Sequence, residues 1–475
     1  MQYGQRMHTI NENGADCMEW IPTISEQDGP LYQRIVDALE RDIADGRLLR
    51  GQQLPTHRAL AKQLGIDLTT VTRAYSEARR RGLIDAQVGR GSFVSETSVR
   101  RATDGAPEVR IDLSMNVPPH PLEAQLDQRI LQGFDAIREQ SGLTAFLNYL
   151  EPGGSERERG IAARWLRARL AHAAAERMVI YPGTQAVIFN LLMQLARPGE
   201  VVLTEAVTFP GMKAAAERLG IKLVGVAMDE GGVIPEALAK ACRAYLPKAV
   251  YLIPTLHNPA TATLSPDRRA AIASIIRAGN SILIEDDAYG LLDPSVSPIA
   301  NLIPERTYLA TTLSKCIAPA LRVSYLLTPD RATQEEMRAR LQASAQMPPP
   351  LMVALATHWI ESGIAERIIT AIRNEAAGRQ QLAARALKGV SFAAGRTGHH
   401  IWLPLPAEWR REDFVGHLLQ SGLAVVGSDA FAVGAGAPRA VRISLGAARN
   451  RAELAEGLRL LAASLKTPAA ARQIV

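Results

Sequence analysis

Cysteine is scarce in this 475-residue chain, and the three that occur, Cys17, Cys242 and Cys316, share no CxxC spacing. That excludes a disulfide framework and a zinc site built on paired cysteines, and no metal is expected. Aromatic residues are few as well, at 5%. No apolar run approaches the ~18 residues of a membrane span, and the N-terminus lacks the apolar core of a signal peptide. The chain is therefore expected to work in the cytoplasm, away from membranes. Internal repeats and low-complexity tracts are missing too. What is present is a globular composition, 47% hydrophobic and 21% charged, in a chain long enough for two or three compact units. The net charge of +6 is modest, but residues 31–100 hold twelve Lys and Arg against eight Asp and Glu. Such a local excess suits a polyanionic partner, and equally an ordinary solvated face. Residues 1–29 form an N-terminal extension, of which 1–17 are polar and without periodic pattern, while Met18, whose stretch runs straight into the first patterned segment, offers a second translation start.

From Pro30 the apolar residues Leu31, Ile35, Leu39 and Ile43 mark one helical face, ended by Gly46. Thr56 stands as N-cap of a short helix carrying Leu60, Ala61 and Leu64, broken by Gly65. A third helix starts near Leu68, buries Val71, Ala74, Tyr75 and Ala78, and stops at Gly82. Residues 83–94 then alternate about a Gly89-Arg90-Gly91 turn, as a two-stranded wing does. Helix, short helix, turn, helix and ribbon is the plan of a winged helix-turn-helix. The third helix offers Thr69, Thr70, Thr72 and Arg73 for base edges and phosphates. A three-helix interaction domain with a basic surface is the alternative.

The segments LYQRIVDAL, GRLLRGQQLPTHRALAKQLGI, TTVTRAYSEARRRGLI and VGRGSFV resemble the GntR family over about 65 residues. The resemblance implies double-stranded DNA contact by Arg58, Thr69, Thr70, Thr72, Arg73 and, in the wing, Arg90, within a DNA-binding domain spanning 30–97. His57 stands where the family pattern has Ser or Thr.

Residues 98–120 lose periodicity and read as a tether of about 20 residues. Beyond it, strands are predicted at 178–181, 201–203, 222–226, 249–253, 281–285, 308–311 and 323–326. Helices are predicted at 184–196, 211–219, 235–245 and 266–278. Short apolar strands alternating with helices imply an α/β unit with a mostly parallel sheet, whose ligands bind beyond the strand carboxyl ends. At such ends lie three groups of polar residues. Lys315, after Ser314 and before Arg322, forms a Schiff base with an aldehyde if desolvated, with Arg322 free to clamp a phosphate. Asp286, in Glu285-Asp286-Asp287-Ala288-Tyr289, suits a pyridine nitrogen, with Tyr289 near the ring hydroxyl. Thr184 and Gln185 open a helix, where backbone N–H groups attract an anion, and Phe209 can stack on a flat ring. Singly, each has a plainer reading: a solvated lysine, loop acids, an N-capped turn, a core aromatic.

In this order, with Asn258-Pro259, they resemble the fold type I, class I/II aminotransferase family over about residues 110–465. The resemblance implies a pyridoxal 5'-phosphate (PLP) site in a domain at 121–475, with a smaller α+β subdomain from about 361. It gives Lys315 the Schiff base, Asp286 the ring nitrogen, and Asn258 and Tyr289 the ring oxygen. It gives Thr184, Gln185, Ser314 and Arg322 the phosphate, Phe209 the stacking face and Arg442 a ligand carboxylate. Tyr149 would reach the cofactor phosphate of a neighbouring subunit, implying a head-to-tail homodimer. Two departures stand out: Ala260-Thr261 replaces the usual Thr-Gly after Asn258-Pro259, and Glu158-Arg159 replaces the usual Leu-Arg. The fusion of both resemblances is similar to the MocR subfamily of bacterial regulators. It implies a transcription regulator sensing PLP or a small amine or amino acid, with a working aminotransferase as the alternative.

Overall fold

The structure, a computed structural model, describes residues 20–23, 30–44, 47–48, 51–80, 83–87, 91–94, 109–434 and 436–466. It divides into two compact units, Met1–Ala106 and Pro107–Val475.

In the first unit, helices α1 (Leu31–Ala44), α2 (His57–Leu64) and α3 (Leu68–Arg80) precede an antiparallel pair, β1 (Ile84–Gln87) and β2 (Gly91–Val94). The eight-residue α2 is held at both ends. Thr56 Oγ1 accepts from Ala59 N at 3.3 Å, and Gly65 turns left-handed at φ 64° while its N–H donates to the carbonyls of Ala61 and Lys62. Ile35 and Leu39 of α1, Leu60 of α2 and Val71 and Tyr75 of α3 share one core. Trp20, placed by the sequence in the N-terminal extension, belongs to that core and donates from Nε1 to Asp42 Oδ2 at 2.9 Å. One aromatic ahead of the first patterned segment has no periodicity to betray it. Gly46, Gly82 and the wing tip with Arg90 lie outside the described residues.

The second unit is built on a seven-stranded sheet. Its strands are β4 (Met178–Tyr181), β5 (Val201–Glu205), β6 (Lys222–Val226), β7 (Ala249–Leu252), β8 (Ile282–Asp286), β9 (Thr307–Thr312) and β10 (Ser324–Leu327). Their order across the sheet is β4-β10-β9-β8-β7-β5-β6. Only β10 runs against the rest. Apolar runs such as Ala249–Leu252 are buried on both faces because helices cover both. Pro235–Tyr245 and Pro266–Ala278 both carry proline in the first helical turn, where its missing N–H costs nothing.

A smaller antiparallel sheet comprises β11 (Ala393–Ala394), β12 (His400–Pro404), β14 (Val426–Gly427) and β15 (Ala440–Ser444), in the order β11-β12-β15-β14. Ile401, Leu403, Val441 and Ile443 point into a core shared with Leu454 and Leu458 of the helix Arg451–Lys466. β3 (Ile111–Asp112) pairs in parallel with β13 (Leu423–Ala424). The expected tether through residue 120 is therefore corrected: residues 109–120 are part of the second unit, with Leu113 buried and Ser444 N donating to its carbonyl at 2.9 Å. The pairing partners lie some three hundred residues downstream, so nothing local announced it. No described helix is long and apolar enough to cross a membrane.

Candidate functional site

The sheet places its polar strand ends around one cavity of about 150 Å³. β8 delivers Asp286, and the turn after it Ala288 and Tyr289. β9 delivers Thr312 and runs into Ser314 and Lys315. The remaining wall holds Thr184 and Gln185 at a helix start, Phe209, Asn258 and Arg322. Nine of the residues singled out from the sequence thus meet in one place. Arg442 stands beside them, its Nη1 donating to Asn258 Oδ1 at 2.9 Å. Tyr149 is not in this cavity and is 82% exposed.

Lys315 Nζ donates to the main-chain oxygen of Asn116 at 2.6 Å. Burial, and then the like charge of Arg442, push its pKa down to about 8, against the pull of Asp286. The three consecutive acids have separate partners. Glu285 accepts from the N–H groups of Ile299 and Ala300, with Arg269 at 3.7 Å. Asp287 pairs with Arg169 through two bonds of 3.1 and 2.8 Å. That leaves Asp286 to face the cavity, accepting from Tyr251 Oη at 2.6 Å and Ala288 N at 3.2 Å. Burial raises its pKa to about 6, opposed by the Tyr251 bond.

Tyr289 Oη accepts from Asn116 Nδ2 at 2.8 Å, and burial pushes the phenol well above its ordinary range. Arg442 Nη2 also bonds Ser114 O, and its guanidinium lies 4.9 Å over the Phe431 ring. Its Nε is buried and has no hydrogen-bond partner among the described residues. Burial lowers the Arg442 pKa to about 10.

At the other end of the cavity, Gly183 opens the helix Thr184–Leu195 at φ 92°, with no side chain capping the first turn. A Cβ on Gly183 would lie 2.5 Å from Arg322 Nη2, so only glycine lets the guanidinium approach this helix start. Arg322 Nη2 donates to Pro182 O at 2.7 Å. Ser314 N bonds Thr312 Oγ1 at 3.1 Å, and Thr184 Oγ1 lies 3.2 Å from Ser324 Oγ. Hydroxyls, a guanidinium and a helix N-terminus together form an anion cradle.

The departures from the family pattern have local explanations. Thr261 adopts φ 64°, the conformation a glycine there would supply, and Asn258 still reaches the cavity. Glu158 serves a capping box with Ser155 at the start of Glu156–Leu166, and Arg159 folds back to the carbonyl of Gly154. Asn116, Tyr251 and Thr312 were not singled out from the sequence. The first lies in the expected tether, Tyr251 inside the predicted strand 249–253, and Thr312 one residue past the predicted strand 308–311. A buried amine, a carboxylate opposite, two ring-oxygen partners and an anion cradle fit PLP.

On the first unit, Arg58, Thr69, Thr72 and Arg73 are exposed and Thr70 half-buried. Thr69 N bonds Asp67 Oδ1 at 2.7 Å, which starts α3, and Thr72 Oγ1 donates to Leu68 O at 2.9 Å. His57 packs edge-on against Tyr75, ring centroids 4.6 Å apart, with Nδ1 3.4 Å from Thr72 Oγ1. It ties α2 to α3.

Residues 109–461 match the family described as aminotransferase class I and II, and residues 31–94 the gntR family of bacterial regulatory proteins. The uncharacterized HTH-type transcriptional regulator YdeF of Bacillus subtilis is 30% identical over 94% of this chain and 96% of its own. The vitamin B6 salvage pathway transcriptional repressor PtsJ of Salmonella typhimurium is 29% identical over 86% of this chain and 93% of its own. A kynurenine aminotransferase structure from Pyrococcus horikoshii superposes with a TM-score of 0.69 at 23% identity, covering 75% of this chain and 90% of its own, a likeness of fold. With a gntR head and an aminotransferase class I and II body, the chain belongs to the MocR-type branch of the GntR transcription regulators.

Proposed function

We propose that this chain is a PLP-dependent, DNA-binding transcription regulator that senses PLP, a small amine or amino acid, or both, by amine exchange at Lys315. The observation that carries this reading is the desolvated Lys315 amine, set in one cavity with Asp286 and the Arg322 cradle, in a chain that also bears a DNA-binding head. Bound PLP supplies an aldehyde that condenses with amines and a ring that withdraws electrons. The chain's own residues do the rest. Asp286 holds the ring-nitrogen proton, Asn258 and Tyr289 hold the ring oxygen, and Phe209 covers the ring. Thr184, Gln185, Ser314 and Arg322 grip the phosphate, and Arg442 orients a ligand carboxylate through its unpartnered Nε. Such a ligand changes operator affinity only so far as it binds the DNA-competent and DNA-incompetent states differently.

The active form is a head-to-tail homodimer in the cytoplasm. Leu147 and Tyr149, 80% and 82% exposed in the single chain, are apolar surface that a second copy would cover. In that dimer Tyr149 reaches the partner's phosphate, and paired heads read paired half-sites on double-stranded DNA. Arg58, Thr69, Thr70, Thr72 and Arg73 supply the contacts, with Arg90 from the wing.

The test is Lys315→Ala. The variant keeps its fold and its DNA binding, develops with PLP no Schiff-base absorbance beyond that of free PLP, and loses the effect of PLP on operator selection from random DNA. Unchanged absorbance defeats the assignment. Turnover is the second reading, favoured by the free Arg442 Nε and the lowered Lys315 pKa. Keto-acid product at many turnovers per site, from a panel of amino acids and keto acids, would establish it.

A further inference from the structure

Asp286 is fully enclosed, and its carboxylate has two donors. The Ala288 N–H reaches Oδ1 at 3.2 Å from within the same turn, whereas Tyr251 Oη donates to Oδ2 at 2.6 Å from the neighbouring strand. The register explains the meeting. Tyr251 of β7 lies opposite Ile284 of β8, so Asp286, two residues on, is its diagonal neighbour on the same face. The 2.6 Å separation is that of a hydroxyl bonded to a charged oxygen.

Packing does not require that hydroxyl. Tyr251 is completely buried in the main core, where phenylalanine would fill the same ring volume without burying a polar atom. Nor does the nearby Glu205 need it: its Oε1 accepts from Ile253 N at 2.6 Å and its Oε2 from Thr204 Oγ1 at 3.1 Å. The phenol has one recorded acceptor, and that is the carboxylate facing the cavity.

We propose that Tyr251 is a positioning residue, whose hydroxyl fixes the plane of the Asp286 carboxylate and keeps it an ionised acceptor toward the ring nitrogen of the bound cofactor. The inference rests on the PLP reading above and adds to it the group that sets the ring's protonation. Burial alone favours the neutral acid, which could not hold a proton on a pyridine nitrogen. The surrounding charges divide. Lys315, beyond β9, favours the carboxylate, while Asp287 on the same segment and Glu205 on β5 oppose it. Tyr251 is itself held neutral, because burial and the adjacent Asp286 push its pKa well above the ordinary value. It therefore remains a donor over the range in which Asp286 titrates.

The experiment uses the full chain labelled with carbon-13 at the aspartate side chains and at tyrosine Cζ, the Asp286 and Tyr251 resonances being assigned by their loss in Asp286→Asn and Tyr251→Leu. In the cofactor-free protein, Tyr251→Phe raises the Asp286 midpoint by about 1–2 pH units, the worth of one hydrogen bond to a charged group. Tyr181→Phe, which removes a buried hydroxyl bonded to Met337 O elsewhere in the sheet, leaves the midpoint in place. After loading with PLP, the pH at which the visible spectrum of Tyr251→Phe changes is displaced from that of the parent. An unmoved Asp286 midpoint in Tyr251→Phe overturns the proposal. If that variant does not fold, the parent decides: the Tyr251 Cζ resonance follows the Asp286 titration, and independence of the two overturns it. A moved midpoint in a chain that takes up no PLP supports the hydrogen bond's role and counts against the cofactor reading alone.

Discussion

The Nζ of Lys315 and the main-chain oxygen of Asn116 lie 2.6 Å apart, although 199 residues separate them in sequence. The bond aims the amine, and the neighbouring charges set its proton. With a pKa of about 8, lowered by burial and by Arg442, the free amine gains share as pH rises through 8. Only the free amine attacks an aldehyde. The rate of PLP capture by the cofactor-free chain therefore rises with pH and levels off above about 8. Arg442→Leu removes a like charge, raises the lysine pKa and moves the profile to higher pH. Stopped-flow absorbance across pH 6–10 checks this, and a profile that stays in place removes Arg442 from the neighbourhood of the amine.

Glu205 and His257 give opposite slopes of stability against pH. Burial raises the Glu205 pKa to about 7 and lowers that of His257 to about 3. Their contact at 3.7 Å is therefore no ion pair near neutrality, since His257 is uncharged there. The folded chain keeps the Glu205 proton in a range where the unfolded chain releases it. The stability from Glu205 is complete below its ordinary carboxylate pKa and is lost as pH rises through 7. Glu205→Gln cannot ionise, so between pH 5 and 8 it gains on the parent by up to about 3 kcal/mol. The stability from neutral His257 is present above its ordinary pKa and is lost as pH falls toward 3, so His257→Gln gains in acid instead. Urea unfolding of the cofactor-free variants at pH 5 and 8 measures both, and gains of the same sign would refute this reading.

Much of the sheet was legible because its strands are short apolar runs ended by turn residues, as at Met178–Tyr181 before Pro182-Gly183. Pro235 and Pro266 announced the starts of their helices. The reversal of β10 was not legible, since an apolar run carries no direction. Asn116 was hidden for a different reason. β3 is two residues long, too short for a period, and its anchors are Gly422, Ala424 and Ser444. Around the cavity, residue types with distinctive chemistry stood out by their order along the chain. Tyr251 did not, because inside Ala249–Ile253 a tyrosine is ordinary strand composition and only its 2.6 Å bond to Asp286 distinguishes it.

Trp20 is expected to be a structural anchor of the DNA-binding unit. Its ring is 7% exposed and its Nε1 donates to the buried Asp42. Trp20→Ala opens a cavity and strips a donor from that carboxylate, at a cost of about 3–5 kcal/mol. Trp20→Phe retains most of the packing and loses about 1–2 kcal/mol with the hydrogen bond. Amide hydrogen exchange in the peptides of α1 and α3 reports the change, faster in the alanine variant than in the phenylalanine one. Unaltered exchange in both would make the tryptophan dispensable.

Arg73 and Arg58 separate charge from placement at the DNA surface. Both are exposed, yet the Arg73 guanidinium lies 4.7 Å over the Tyr32 ring of α1, a contact that holds it in one orientation. If both arginines meet phosphates, Arg58→Ala and Arg73→Ala each reduce the slope of log affinity against log salt by about 1, and the double variant by about 2. Tyr32→Leu leaves every charge in place and removes only the platform. It weakens operator binding while keeping the parental salt slope, because the number of counterions released is unchanged. Fluorescence anisotropy at several salt concentrations distinguishes these outcomes. A slope that drops in Tyr32→Leu as far as in Arg73→Ala would mean that the ring is what brings Arg73 to the phosphate at all.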